Sequence, residues 1–288
     1  MAVVLVLAAG AVAAYTLLST DPGPSPRPPA PRAVPSTDAP DAPGSVDVPP
    51  VQPSSTPDPQ RTLTRNELYR VPRMKSVGCA QNSRVALDGL GGVRAYYRSV
   101  LPCLSRAWGQ LGKDGITVRA PGLEVFSGEV STPCGSVLYS FYCPSNQTIY
   151  MYADEMFDPW NQYAGDDFSH GLTRLAALHT IAHEFGHHVQ QVTGIFGAMG
   201  PDWSGTELER RSELQASCLG NVFLASQRDA YGVDSVYWEA QWEPLWRFIT
   251  RVPNHGSEAN QRTWTDRGYG SARPGDCNTW TVGAAQVT

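Results

Sequence analysis

Between Leu90 and Trp108 the apolar residues Val93, Tyr97, Val100, Leu101, Leu104 and Trp108 recur at three- and four-residue steps, which predicts a helix with one buried face. The pattern then changes. Ile116–Val118, Val137–Tyr142 and Thr148–Tyr152 are short β-branched or aromatic runs separated by Pro, Gly, Ser and Asn, the signature of strands and turns. Alternation along the last run puts Ile149 and Met151 on one face and Thr148, Tyr150 and Tyr152 on the other. From Gly171 to Gln191 a helical period returns with two adjacent stripes. One holds Leu178, Ile181, Ala182, Phe185, Val189 and Val192; the other holds His179, His183, His187 and Gln190. Ser169 is the candidate N-cap and Gly194 the candidate stop. A second helix is expected over Thr206–Gln227 and a third over Val236–Ile249, with the rest irregular. A helix, a small sheet and then more helices predict an α+β domain.

The pattern breaks down before residue 65. Met1 to Leu18 is apolar and uncharged, close to the length that crosses a bilayer, so residues 1–19 read as a membrane anchor or a signal segment. Residues 20–64 carry most of the prolines and no aromatic residue, so they are expected to be a disordered, polyproline-like spacer. Residues 65–288 form the folded domain. Residues 21–60, with five Asp against two Arg, carry −3 of the net charge of −5. The domain is left near neutral, with Lys75 and Lys113 its only lysines, and this composition disfavours a nucleic-acid partner.

All six cysteines, Cys79, Cys103, Cys134, Cys143, Cys218 and Cys277, lie in the domain. An even count behind an export segment predicts three disulfides in an extracytoplasmic compartment. Cys134 with Cys143 would close a short strand-turn-strand unit, and the remaining pairing is open. No C-x-x-C pair suggests a zinc ribbon.

Five of the six histidines fall between His170 and His188, and His183-Glu184-Phe185-Gly186-His187 is an HExxH sequence on a predicted helix. Positions i and i+4 share a face, so both imidazoles can reach one Zn²⁺ while Glu184 reaches a water beside it. His179 is one turn too far to share the ion and reads as supporting or core; His188 points away and is expected to be solvated. A catalytic zinc site needs a third ligand. Thr193 stands where a histidine six residues after His187 would supply it, and Glu213, on the next helix, is the first choice. Glu207, Glu209 and Cys218 on the same helix are rivals.

HEFGHHVQ, RRSELQASC, HGSEANQRTW, the closing cysteine of PGDCNTW and the segments around Cys134 and Cys143 together resemble the bacterial neutral zinc metallopeptidase family, over roughly Leu63 to Trp280. The resemblance implies a zincin-like fold. A small sheet with an edge strand would pack on the HExxH helix, followed by a second, Glu-bearing helix and a disulfide-stapled helical or irregular C-terminal part. It also implies one zinc per chain held by His183, His187 and Glu213, with Glu184 as catalytic acid/base. Where the family has Asp in ELQADC this chain has Ser217, which can hydrogen-bond a zinc-binding imidazole without a charge; weaker metal affinity or lower activity is expected.

The expected activity is zinc-dependent hydrolysis of a peptide or protein substrate, with Glu184 taking a proton from the attacking water and returning it to the leaving amine. His255 is the first candidate to steady the oxyanion, followed by Tyr150 and Tyr231, and the strand ending at Tyr152 is a candidate to pair with an extended substrate. The enzyme is expected at the cell membrane as a single-pass protein with its catalytic domain outside the cytoplasm, or secreted. A non-catalytic zinc-binding scaffold and a zinc hydrolase of non-peptide substrates are the alternatives.

Overall fold

The computed structural model describes residues 58–79, 85–232 and 253–288, all within one unit, Ser54–Thr288. The apolar N-terminal segment, nearly all of the proline-rich tract and the helix expected over Val236–Ile249 lie outside the described residues. Among the described residues no helix is long and apolar enough to cross a membrane.

Helical structure is present before the expected linker boundary at residue 64. Helix α1 (Pro59–Thr64) has Asp58 as N-cap, Pro59 in its first turn and Leu63 buried, so the last residues assigned to the spacer belong to the domain. Helix α2 (Leu90–Trp108) matches its predicted span and buries Val93, Tyr97, Val100, Leu104 and Trp108.

Five short strands follow: β1 (Gly122–Phe126), β2 (Val130–Thr132), β3 (Gly135–Val137), β4 (Phe141–Cys143) and β5 (Thr148–Tyr152). β5 is where it was expected. Ile116–Val118 is not a strand, and β1 a few residues later takes its place; Val137–Tyr142 is split by a bend at residues 138 and 139. The main sheet has the order β1-β5-β4, with β1 and β5 parallel and β4 and β5 antiparallel, while β2 and β3 form a separate hairpin. As predicted, Ile149 and Met151 face the main core; Tyr150, on the other side, is buried in a smaller cluster with Phe126, Val137 and Cys143. Both faces of β5 are therefore covered, and both of its edges are paired. β4 is an edge strand.

Helix α3 (Asp154–Gln162) follows β5 directly. Helix α4 (Asp167–Val192) starts four residues before its predicted limit, with Asp166 rather than Ser169 as N-cap; Ser169 instead hydrogen-bonds Asp166 at 2.6 Å. It ends at Thr193 with left-handed Gly194 beyond, as expected. A short α5 (Ile195–Met199), then α6 (Glu207–Ser226), capped by Thr206, and α7 (Arg228–Tyr231) complete this part. The C-terminal part is less irregular than expected. Ser257 caps α8 (Glu258–Ser271), a helix the weak amphipathicity of EANQRTWTDRGYGS conceals.

α4, α6 and α8 pack side by side with α6 in the middle. A β-carbon added at Gly186 would lie 2.6 Å from the Ala216 carbonyl oxygen, and one at Gly220 would lie 2.9 Å from the Ala182 carbonyl carbon and the His183 nitrogen. Ala182/Gly186 and Ala216/Gly220 are thus paired small residues, one turn apart on each helix, that let the two antiparallel backbones nearly touch. Gly268 of α8 meets Cys218 of α6 in the same way. Disulfides join Cys79–Cys103, Cys134–Cys143 and Cys218–Cys277, the second being the pairing expected around the short strands and the third stapling α6 to the C-terminal segment.

Candidate metal centre

The close approach of α4 and α6 brings donor atoms from both helices to one point. His183 Nε2 lies 3.1 Å from Glu213 Oε2, His187 Nε2 lies 3.0 Å from the same oxygen, and the two imidazole nitrogens are 3.1 Å apart. Among the described residues, these three form the group able to hold a metal ion, with donor atoms all within 4.8 Å of one another. Glu207 and Glu209 are committed elsewhere. The first pairs with Arg211 at 2.6 Å; the second accepts from the Gly205 backbone and from Asn254. Cys218 is in its disulfide.

Each imidazole is oriented through its other nitrogen. His183 Nδ1 lies 3.0 Å from Ser217 Oγ, the contact expected of Ser217, which sits one turn beyond Glu213 on α6. His187 Nδ1 lies 2.8 Å from Gln190 Oε1, a contact the sequence reading missed. Gln190 Nε2 donates to the Ser212 carbonyl and to Gln215 Oε1, which fixes the amide with its oxygen toward His187. His187 must then donate from Nδ1, leaving the Nε2 lone pair aimed at the centre. The signal was available: Gln190 follows His187 by three residues on the same polar stripe.

This donor set suits zinc. Ligands about 2.0–2.1 Å from a tetrahedral ion lie about 3.3 Å apart, close to the separations here, and two nitrogens and one carboxylate oxygen leave a fourth position free. The two imidazole nitrogens, 3.1 Å apart and both against the Glu213 carboxylate, are spaced as two ligands of one ion would be.

The buried centre perturbs its own titratable groups. Burial pushes the Glu184 carboxyl up to about 7, partly opposed by the charge of His187. Burial holds His183 down at about 4. Burial also opposes protonation of His187, but the charge and hydrogen bond of Glu213 outweigh it and raise the group to about 9. Glu213 is held well below the usual carboxylate range: its burial is outweighed by the surrounding imidazoles.

His255, far along the chain, also arrives here. Its Nε2 is 3.0 Å from Glu213 Oε2, its ring stacks over that of His183 at 5.3 Å, and its Nδ1 lies 2.9 Å from Asn254 Oδ1. Both ring nitrogens face oxygen acceptors, so the ring is placed to donate from either side. The following Gly256 has φ +79°, and a β-carbon there would come within 3.3 Å of the Val287 carbonyl oxygen; Ser257 and Asn260 hold the turn by hydrogen bonds to Thr288. The other two oxyanion candidates lie elsewhere. Tyr150 is in the small cluster below the sheet, bonded to Asn146, and Tyr231 packs on Phe223.

His179 is buried on the same helix and accepts a hydrogen bond from Asn221 at 3.2 Å, a core position as expected. His188 is not solvated. It is fully buried, with Nδ1 3.0 Å from the Tyr142 hydroxyl of β4 and Nε2 2.7 Å from the Arg119 carbonyl, and so ties the edge strand to α4. The centre opens into a cleft of about 840 Å³ bounded by α4, α3, the β4 edge and the His255 turn. β4, not β5, offers its free edge to that cleft, so the strand ending at Tyr152 is not available for pairing.

Comparison with known proteins agrees with this chemistry. The uncharacterized protein YpfJ of Escherichia coli K12 is 30% identical over 211 residues, which cover 63% of this chain and 69% of that protein. The uncharacterized proteins Mb2605 of Mycobacterium bovis and Rv2575 of Mycobacterium tuberculosis H37Rv are each 30% identical over 197 residues, 56% of this chain and 63% of theirs. No solved structure matches the chain. The model of the family described as "Putative neutral zinc metallopeptidase" matches residues 72–236, more than half of the chain and including every residue of the three-donor centre, and the chain belongs to that family.

Proposed function

We propose that the protein is a metalloendopeptidase of zincin-like architecture that holds one Zn²⁺ through His183, His187 and Glu213. The observation that carries this reading is the pairing of a three-donor site with a buried carboxyl, Glu184, beside it and an open cleft in front. A purely structural zinc site closes all four positions and has no use for Glu184. Zinc bound there would act as a Lewis acid toward a water and the substrate carbonyl.

The chain's own groups do the rest. Glu184, a buried carboxyl beside the donor atoms and lining the cleft, accepts the proton of the attacking water and passes it to the leaving amine. His255 donates from Nε2 to the developing oxyanion, exchanging its contact with Glu213 for one with substrate. Ser217 and Gln190 keep the imidazoles aimed. An extended peptide adds to the free edge of β4 by backbone hydrogen bonds. Three disulfides and the apolar start of the chain support a catalytic domain held outside the cytoplasm by an N-terminal anchor, or released there.

The test is cleavage of quenched peptides by zinc-loaded protein, with and without chelator, alongside metal content. Glu184→Gln should keep about one zinc per chain and lose about 10²–10⁴-fold in turnover. Full activity in that variant with metal still bound would refute the role of Glu184, and activity indifferent to chelator would refute the metallopeptidase reading.

A further inference from the structure

Besides the metal centre, the cleft has a marked electrostatic imbalance. The carboxylates of Glu155, Glu184, Glu209 and Glu213 all line it, and among the described lining residues there is no Lys or Arg. A lining with acidic side chains and no basic one favours a positively charged occupant over a negatively charged one.

Three of the four are accounted for. Glu213 is shared among imidazoles, Glu184 is buried beside them, and Glu209 accepts from both the Gly205 backbone and Asn254. Glu155 differs. It is the second residue of α3, exposed to the cleft, and its hydrogen-bond partner is Ser140, whose hydroxyl donates to Oε2 at 3.2 Å. That hydroxyl itself accepts from the Tyr152 backbone nitrogen at 2.9 Å, so the relay from β5 through Ser140 fixes the carboxylate at the start of the β4 edge. Glu155 and Glu184 line the same cleft, so a substrate reaching the metal centre also passes Glu155. Partial burial of its carboxyl against the cleft wall, opposed by the Ser140 hydrogen bond, pushes Glu155 up to about 7, and a neighbouring cation would favour its charged form. Tyr139 and Tyr163, exposed on the same cleft, offer aromatic faces suited to the same kind of guest.

We infer that Glu155, positioned by Ser140, recognises a cationic amine of the substrate beside the scissile bond, which makes the enzyme selective for peptides carrying a positive charge there. This rests on the peptidase reading above. The amine has two sources, a basic side chain or a free α-amino group.

Zinc-loaded wild type and the Glu155→Gln and Glu155→Lys variants are assayed on quenched peptides. One series moves a single lysine, paired with norleucine as a neutral isostere, through the positions flanking the cleaved bond; a second compares free with acetylated N-termini. Wild type should favour the charged member at one position, or the free N-terminus, by about tenfold in kcat/KM, the increment typical of a charge-assisted hydrogen bond at an accessible site. Which series responds identifies the source. Glu155→Gln should bring the ratio near one and Glu155→Lys should invert it. Cleavage without charge preference in wild type, or a preference that survives Glu155→Gln, overturns the inference and leaves the peptidase reading standing. Failure to cleave any peptide would remove both.

Discussion

Replacing Gly186 by alanine tests whether the closeness of two helix backbones is what builds the metal centre. The added β-carbon would lie 2.6 Å from the Ala216 carbonyl oxygen and 3.0 Å from its α-carbon, both backbone atoms of α6 that cannot rotate away. Reaching an ordinary carbon-oxygen contact of about 3.4 Å requires α4 and α6 to part by about 0.8 Å. Glu213 lies one turn from Ala216, so it moves with that backbone, and separations of 3.0–3.1 Å to the imidazoles would lengthen comparably. Functional sites tolerate about 0.5 Å of such drift, so zinc affinity should fall by about 10–100-fold. Overall stability should change much less. Overpacking costs about 1–3 kcal/mol, while alanine in place of glycine within a helix returns about 1 kcal/mol. Chelator competition gives the affinity and urea unfolding of the metal-free protein gives the stability. Gly91→Ala, in α2 with nothing within 4 Å of its β-carbon, is the control and should raise stability slightly with unchanged zinc binding. If Gly186→Ala bound zinc as tightly as wild type, the backbone approach would not be what sets the ligand geometry.

Three further outcomes follow from the groups around the centre. Gln190→Leu removes the acceptor that fixes His187 and should weaken zinc binding about 10–100-fold by chelator competition, whereas unchanged affinity would show that the Gln190 contact does not orient the ring. Ser217→Asp adds a charge opposite His183 Nδ1 and should tighten zinc binding by about tenfold; looser binding would mean the site is built for a neutral partner. Burial holds His179 down at about 3, against an ordinary value near 6.5. As pH falls through this window the unfolded chain takes up a proton that the native protein refuses, so stability present above about 6.5 is lost toward acid, at about 1.4 kcal/mol per unit from this residue. His179→Gln should flatten the fall measured by urea unfolding between pH 6.5 and 4.5, and an unchanged slope would place the acid sensitivity elsewhere.

What could be read from the sequence was whatever depends on spacing within one element. HExxH puts two imidazoles on one face by helical geometry alone, and α2, β5 and α6 were marked by strong apolar periodicity or clear caps. α8 was not legible because its buried side is made of Gln261, Trp264, Thr265, Gly268 and Tyr269, which gives no apolar stripe. His188 was misread for a related reason. A helix covered on several sides has no solvated face, and from Ile181 to Gln190 every residue of α4 is buried, so a polar side chain there needs a partner rather than water. The same fact explains the helix contacts. With no polar face to keep, α4 and α6 can be paired by small residues, and Ala182, Gly186, Ala216 and Gly220 at four-residue steps were a signal visible in the chain. They are the link between local sequence and the centre: HExxH fixes two donors within a helix, but only the register set by those four residues decides that Glu213, rather than Glu207 or Glu209, is the carboxylate that meets them.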